Sequence, residues 1–228
     1  MKKLIAVLVL CMLAVPSFAG IGFHLNYDAT TIDGEVSPQI TFDGDVAGSG
    51  IALVRDEVSG LVGGGIDFTF GMIPMIDLML SIEGAYGTYA VAYAGVGAAA
   101  AINEPVNEDI PYLRAGADLT ALYTILPIPM VGGVYVGGGP SFMAVAPVFS
   151  KDLVLDNFQS AEEEVDAASL ADDIQMEFGL HLTVGAKLKP VGWPIAFRVG
   201  AKYYIIPSLE DPAPGSWLTL QAGIVLGG

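Results

Sequence analysis

The side chains best suited to proton transfer or metal ligation in this 228-residue chain are its two histidines, His24 and His181. Together with a carboxylate and a serine they would suffice for acyl transfer, but no Ser or Cys nucleophile motif accompanies them. Metal-ligand spacings of the HExxH kind are absent. The single cysteine, Cys11, lies in the middle of an N-terminal apolar run, so thiolate chemistry and disulfides are not expected. Gly95-Val96-Gly97-Ala98-Ala99-Ala100 matches a loose dinucleotide-binding pattern, yet no strand–helix–strand spacing surrounds it. Neither catalysis, a cofactor nor a resident metal is expected.

The remaining ionisable residues fall into two groups. One recurs at every second position of apolar segments: Asp67, Asp77, Glu83, Arg114, Asp118, Glu177, His181, Lys187, Arg198 and Lys202, joined by His24, Asn26, Asp28, Gln175 and Gln221. The other fills the long intervening stretches, where most of the 25 Asp and Glu meet only Arg55 and Lys151. Alternating apolar and polar residues put two chemistries on opposite faces of a strand. Ile21, Phe23, Leu25 and Tyr27 set the pattern against Gly22, His24, Asn26 and Asp28. It recurs about residues 65–71, 76–83, 113–121, 175–188, 195–203 and 218–226, with a Gly-rich eighth segment at Val131–Val145.

These eight segments are joined alternately by short, Pro-bearing turns (Met72–Met75, Leu126–Met130, Lys189–Pro194) and long connections (about Thr31–Val58, Val91–Ile110, Ala146–Asp173, Pro207–Ser216). All the long connections then emerge at one rim. That is the pattern of a transmembrane antiparallel up-and-down β-barrel with eight strands, short periplasmic turns and long extracellular loops. Two long uncharged stretches, Gly84–Asn103 and Leu119–Ser150, are too rich in Gly and Pro for spanning helices. In lipid a sheet must close, because unpaired edge groups find no water there.

Composition agrees. Mean hydropathy is +0.59, 53% of residues are hydrophobic and only 15% are charged, which excludes intrinsic disorder. Nine Lys and Arg against 25 acids, a formal charge of −16, leave no basic surface for nucleic acid. The opening MKKLIAVLVLCMLAVPSFAG reads as a signal peptide over residues 1–19, cut before Gly20, with the barrel domain over 20–228. The apolar run from Leu4 to Val15 is too short for an anchor.

With the apolar face toward outer-membrane lipid, the charged positions face inward. An eight-stranded barrel is just wide enough for side chains to fill it. The expectation is therefore an ion-pair and hydrogen-bond plug built from the ten residues named first. A narrow passage for small or apolar solutes is the alternative, and a lateral opening near the Gly-rich fifth strand would favour it. A soluble periplasmic lipocalin-like binding barrel, with the apolar face inward, is the second alternative. At the acidic rim Asp43, Asp45, Glu162, Glu163, Glu164 and Asp166 are candidate ligands for divalent cations, since carboxylate oxygens are hard ligands. Ser160 and Glu163 have capping-box spacing, so Ala161–Asp172 is expected as a short helix. Gln39–Phe42 and Ile51–Val54 are expected to extend the wall as a hairpin above the membrane. Tyr27, Tyr86, Tyr123, Trp193, Tyr203 and Trp217 are expected at the interfacial girdles.

The order of strands and loops, with Tyr135-Val136-Gly137-Gly138-Gly139-Pro140-Ser141-Phe142 in the fifth segment and Val199-Gly200-Ala201-Lys202-Tyr203-Tyr204 in the seventh, resembles the small outer-membrane β-barrel superfamily. Its members of this size include OmpA-type barrel domains and OmpX- and OmpW-like proteins. The resemblance implies a monomer inserted by the barrel-assembly machinery, with a structural or surface-interaction role; its OmpW-like branch implies the narrow solute passage. Such barrels usually close on Phe or Trp, where this chain has Val225-Leu226-Gly227-Gly228.

Overall fold

A computed structural model describes residues 17–41, 49–73, 75–97, 106–128, 131–150, 174–209 and 212–227. Their strands are β1 (Ser17–Ile32), β2 (Glu35–Thr41), β3 (Ser49–Arg55), β4 (Val58–Ile73), β5 (Ile76–Gly97), β6 (Val106–Ile128), β7 (Gly132–Val145), β8 (Gln175–Leu188), β9 (Ile195–Ile205) and β10 (Ser216–Leu226). All pair antiparallel in one sheet. β1 pairs with both β4 and β10, and β5 pairs with both β4 and β6, so β1, β4, β5, β6, β7, β8, β9 and β10 close into an eight-stranded barrel.

The ring matches the eight expected segments, but the sheet carries two further strands. β2 and β3 form a hairpin, and β3 continues the wall alongside the upper half of β5, from Ser49↔Gly97 to Arg55↔Val91. This is the hairpin expected above the membrane. The connection expected over Val91–Ile110 is correspondingly shorter, because β5 runs on to Gly97 and β6 begins at Val106. Those ends keep strand pairing up to Tyr93↔Val106, which satisfies their backbone groups above the ring.

The turns that join β4 to β5, β6 to β7 and β8 to β9 lie at one end of the barrel, together with the start of β1 and the end of β10. The leader expected over residues 1–19 falls mostly outside the described residues; pairing begins at Ser17↔Gly71, and a register shift separates Phe18 from Gly20. β10 has 11 residues. At about 3.3 Å per residue and a tilt of about 40° it rises about 28 Å, close to the height of a hydrocarbon layer.

The outer face is apolar around the ring. Leu25 (74% exposed), Ile66, Ile82, Leu119, Phe178 (73%), Leu182, Phe197 and Leu220 all stand outside. The same strands turn His24, Asp67, Glu83, Asp118, His181, Arg198, Lys202 and Thr219 inward, where they are buried. This sidedness is opposite to that of a soluble lipocalin-like barrel. Tyr27, Tyr86, Tyr123, Trp193 and Tyr203 are exposed as expected of girdle residues. Trp217 is not: it is buried and faces inward, because it shares the parity of Thr219 and Gln221 along β10.

Candidate functional site

The barrel interior is organised in layers along its axis. The middle layer is ionic. Lys202 on β9, fully buried, donates from Nζ to Asp118 Oδ2 on β6 (2.7 Å) and to Glu83 Oε2 on β5 (2.8 Å). Strands β9 and β5 lie diametrically opposite in the ring, so this one side chain ties the far walls together. Tyr204, two residues on and on the same face, donates its hydroxyl hydrogen toward both carboxylates, Asp118 at 2.6 Å and Glu83 more closely still. Gln221 Nε2 adds a hydrogen bond to Glu83 Oε2 at 2.8 Å. Two buried carboxylates thus share a lysine and a phenol, and Glu83 has an amide besides, which is what burying charge demands.

His24 links this layer to the next. Its Nε2 lies 3.3 Å from Glu83 Oε2 and its Nδ1 2.9 Å from Asp67 Oδ2. Asp67 on β4 also takes a hydrogen bond from Ser81 Oγ (2.6 Å) and an ion pair from Arg198 on β9. The Nη1 atom of Arg198 donates to Met79 Sδ at 2.8 Å. Toward the long-loop end, Arg114 on β6 reaches Asp28 Oδ2 (2.5 Å) and Thr30 Oγ1 (2.8 Å) on β1, while Thr219 donates to Asp28 Oδ1. The Nε and Nη1 atoms of Arg114 meet no hydrogen-bond partner among the described residues. Its guanidinium carbon instead sits 4.1 Å from the ring centroid of Trp217, a cation–π contact strengthened by desolvation. Trp217 stacks in turn on Tyr204, with centroids 5.0 Å apart.

Above the ionic layer the interior becomes apolar. Leu53, Leu61, Tyr89, Val91, Tyr112 and Val145 belong to one buried cluster at the long-loop end. Arg55, expected as a loop cation, is buried there: it donates to the carbonyls of Asp33 (2.6 Å) and Phe149 (3.1 Å). Below the ionic layer Met79, Leu122 and Tyr135 form a second, smaller cluster. Tyr135 fits because Gly185 and Gly200, paired across β8 and β9, leave a notch. A Cβ built on Gly200 would stand 3.0 Å from the Tyr135 hydroxyl, and one on Gly185 would meet the same ring.

Of the ten expected inward residues, Asp67, Glu83, Asp118, Arg198 and Lys202 join one connected set, and Arg114 pairs with Asp28. His181 is buried among hydroxyls, with Thr120 Oγ1 2.9 Å from Nε2 and Ser141 Oγ 2.8 Å from Nδ1. Asp118 Oδ1 stands 3.9 Å from that Nδ1. Ser, His and Asp are therefore neighbours, but Ser and Asp approach the same ring nitrogen, and Ser141, His181 and Thr120 are all buried and do not line the cavity at the short-turn end. A hydrolytic triad needs its serine and its carboxylate on opposite nitrogens and room for a substrate. Asp77 and Lys187 do not join the ion pairs; they line an open space at the short-turn end. Glu177, half-buried near the other rim of β8, has no ion-pair partner among the described residues. Its cross-strand neighbour on β7 is Met143.

The candidate cation ligands Asp43, Asp45, Glu162, Glu163, Glu164 and Asp166, and the helix expected over Ala161–Asp172, lie outside the described residues. Among the described residues no group of three or more His, Cys, Asp or Glu side chains is placed to hold a metal ion. The wall beside the Gly-rich β7 keeps one register on either side of Gly139–Pro140, from Asp118↔Ser141 to Ala121↔Gly138, with the ladder to β6 interrupted at those two residues. Tyr204, Trp217, Tyr135, Thr120 and Ser141 were not among the expected interior residues. Parity along their strands, shared with Lys202, Thr219, Gly137, Asp118 and Gly139, is the signal that marks them.

No family model matches the chain, and no curated protein matches it. Among solved structures it is similar to the outer membrane protein OprG from Pseudomonas aeruginosa. The two share 14% sequence identity over 92% of this chain and 94% of that one, with a TM-score of 0.39.

Proposed function

We propose that this chain is a monomeric outer-membrane β-barrel protein with a structural or surface-presenting role, its lumen plugged by its own side chains, and without catalysis. Its partners on this reading are outer-membrane lipid around the apolar belt and the barrel-assembly machinery during insertion. Divalent cations at the acidic rim would bridge it to anionic head groups. The observation that carries the proposal is the Lys202 crossing. A fully buried ammonium spans from β9 to the carboxylates of β5 and β6, with an apolar cluster stacked above it. Opening a path there would break several buried ion pairs at once, each costing about 3–5 kcal/mol. The apolar outer belt supports the membrane part, since exposed patches of that extent are not left facing water.

Detergent-extracted membranes should yield a band whose gel migration changes on boiling, as a closed barrel requires. The same sample in planar bilayers should give no steady open level. Large ohmic conductance would refute the plug, and a polypeptide that stays dissolved without detergent would refute the membrane barrel.

A further inference from the structure

Arg55 ends β3 with its guanidinium buried and directed at main chain. Its Nη2 donates to the carbonyl of Asp33, between β1 and β2, and its Nη1 to the carbonyl of Phe149, beyond β7. Tyr89, inward on β5, holds the same phenylalanine by its other main-chain group: the phenol oxygen accepts from the Phe149 N–H at 2.9 Å. Three residues earlier the Ala146 N–H donates to the Leu113 carbonyl of β6, also at 2.9 Å. Ala146–Phe149 thus leaves β7, is tied to β6, and is gripped at its far end from β5 and β3. Along this course Val148 is buried in the apolar cluster of the long-loop end, and Phe149 packs against it. That cluster takes residues from every ring strand but β8, with Ile206 and Ala213 from the β9–β10 connection, so it extends across the bore. Hydrogen bonds from a charged donor are stronger than neutral ones, and carbonyl acceptors let Arg55 fix the path of the chain whatever its side chains.

We propose that Arg55 and Tyr89 form a clasp that holds Ala146–Phe149 as a strap across the long-loop mouth, and that this strap is a second closure in series with the ionic layer below it. The inference rests on the plugged-lumen reading given above. Releasing the strap frees the third long connection at its start, while the Lys202 layer still closes the bore beneath.

The test digests the full barrel in lipid nanodiscs with trypsin under native conditions and follows the bond after Lys151 by fragment mass. That bond lies just beyond Phe149 in the chain. A protease must draw the residues flanking its bond into its cleft as a free extended segment, which Phe149 cannot join while both of its main-chain groups are held. The cutting rate therefore follows the population of released strap. Arg55→Met removes the clasp and its own cleavage site together, and should speed cutting after Lys151 about tenfold or more, the loss of charge-assisted hydrogen bonds. Tyr89→Phe, which keeps the ring and loses one neutral hydrogen bond, should speed it about fivefold. In planar bilayers Arg55→Met should still give no steady open level. Rates are compared between samples with heat-modifiable migration, and Tyr89→Phe carries the test if Arg55→Met does not fold. Unchanged cutting in the folded variants overturns the clasp and leaves the plug reading intact. A steady open level in Arg55→Met overturns the series arrangement, and the plug reading with it.

Discussion

Replacing Lys202 with methionine isolates the contribution of the central ion cluster. Methionine nearly fills the space of the lysine stem, so the change removes charge with little loss of volume. It leaves Glu83 and Asp118 facing each other through the point that Nζ occupied, 2.8 Å from one and 2.7 Å from the other. Two carboxylates about 5 Å apart repel by about 3 kcal/mol at an effective dielectric constant of about 20. Measured losses on breaking buried pairs run to about 3–5 kcal/mol. Tyr204 and Gln221 still donate to the carboxylates, which keeps the cost toward the lower end of that range. The assay is equilibrium urea unfolding of the refolded barrel in detergent micelles at neutral pH. Trp217 reports from within the cluster, because it stacks on Tyr204. Lys202→Met should lower the unfolding free energy by about 3 kcal/mol, and adding Glu83→Gln and Asp118→Asn should restore most of it. A loss under about 1 kcal/mol, or a triple variant no more stable than the single one, would refute the reasoning.

Other consequences follow from sidedness and packing. Leu182, 61% exposed near the middle of β8, should face the bilayer midplane; Leu182→Arg is expected to cost about 2–4 kcal/mol and to lower the folded fraction in lipid vesicles, read from gel migration before boiling. The neighbouring inward Thr183, substituted likewise, would not meet hydrocarbon, so equal losses at the two positions would contradict the assignment of faces. Gly185→Val should drive Tyr135 out of its notch and cost about 1–3 kcal/mol by overpacking, in the same urea titration. Adding Tyr135→Ala to it should relieve the clash; failure of the second substitution to restore stability would show that the notch is not what the glycine provides.

Parity made most of the architecture legible. In β1, β4, β5, β8, β9 and β10 the apolar positions read from the sequence are the ones that face outward, and the charged ones face inward. The short and long connections likewise gave the end at which the turns gather. Trp217 misled because an aromatic residue near a strand end has two uses, an interfacial anchor or a cover for a buried cation; its own parity with Thr219 decides for the second. The extensions of β5 and β6 were hidden because Ala92, Ala94 and Gly95 carry no alternation to read. Asp77 and Lys187 shared the parity of the buried ions but stand too near the mouth to join them.

The amino-acid sequence alone settles which face of most ring strands is greasy and where the chain must turn, because both depend on neighbours one or two residues apart. It does not say that Lys202 meets Glu83, 119 positions away, in preference to Asp67 or Asp77. That choice depends on the stagger with which eight strands close, which sets the height of every inward side chain along the axis. The ring's register therefore decides which charges meet, where the apolar layers lie and where a cavity is left over.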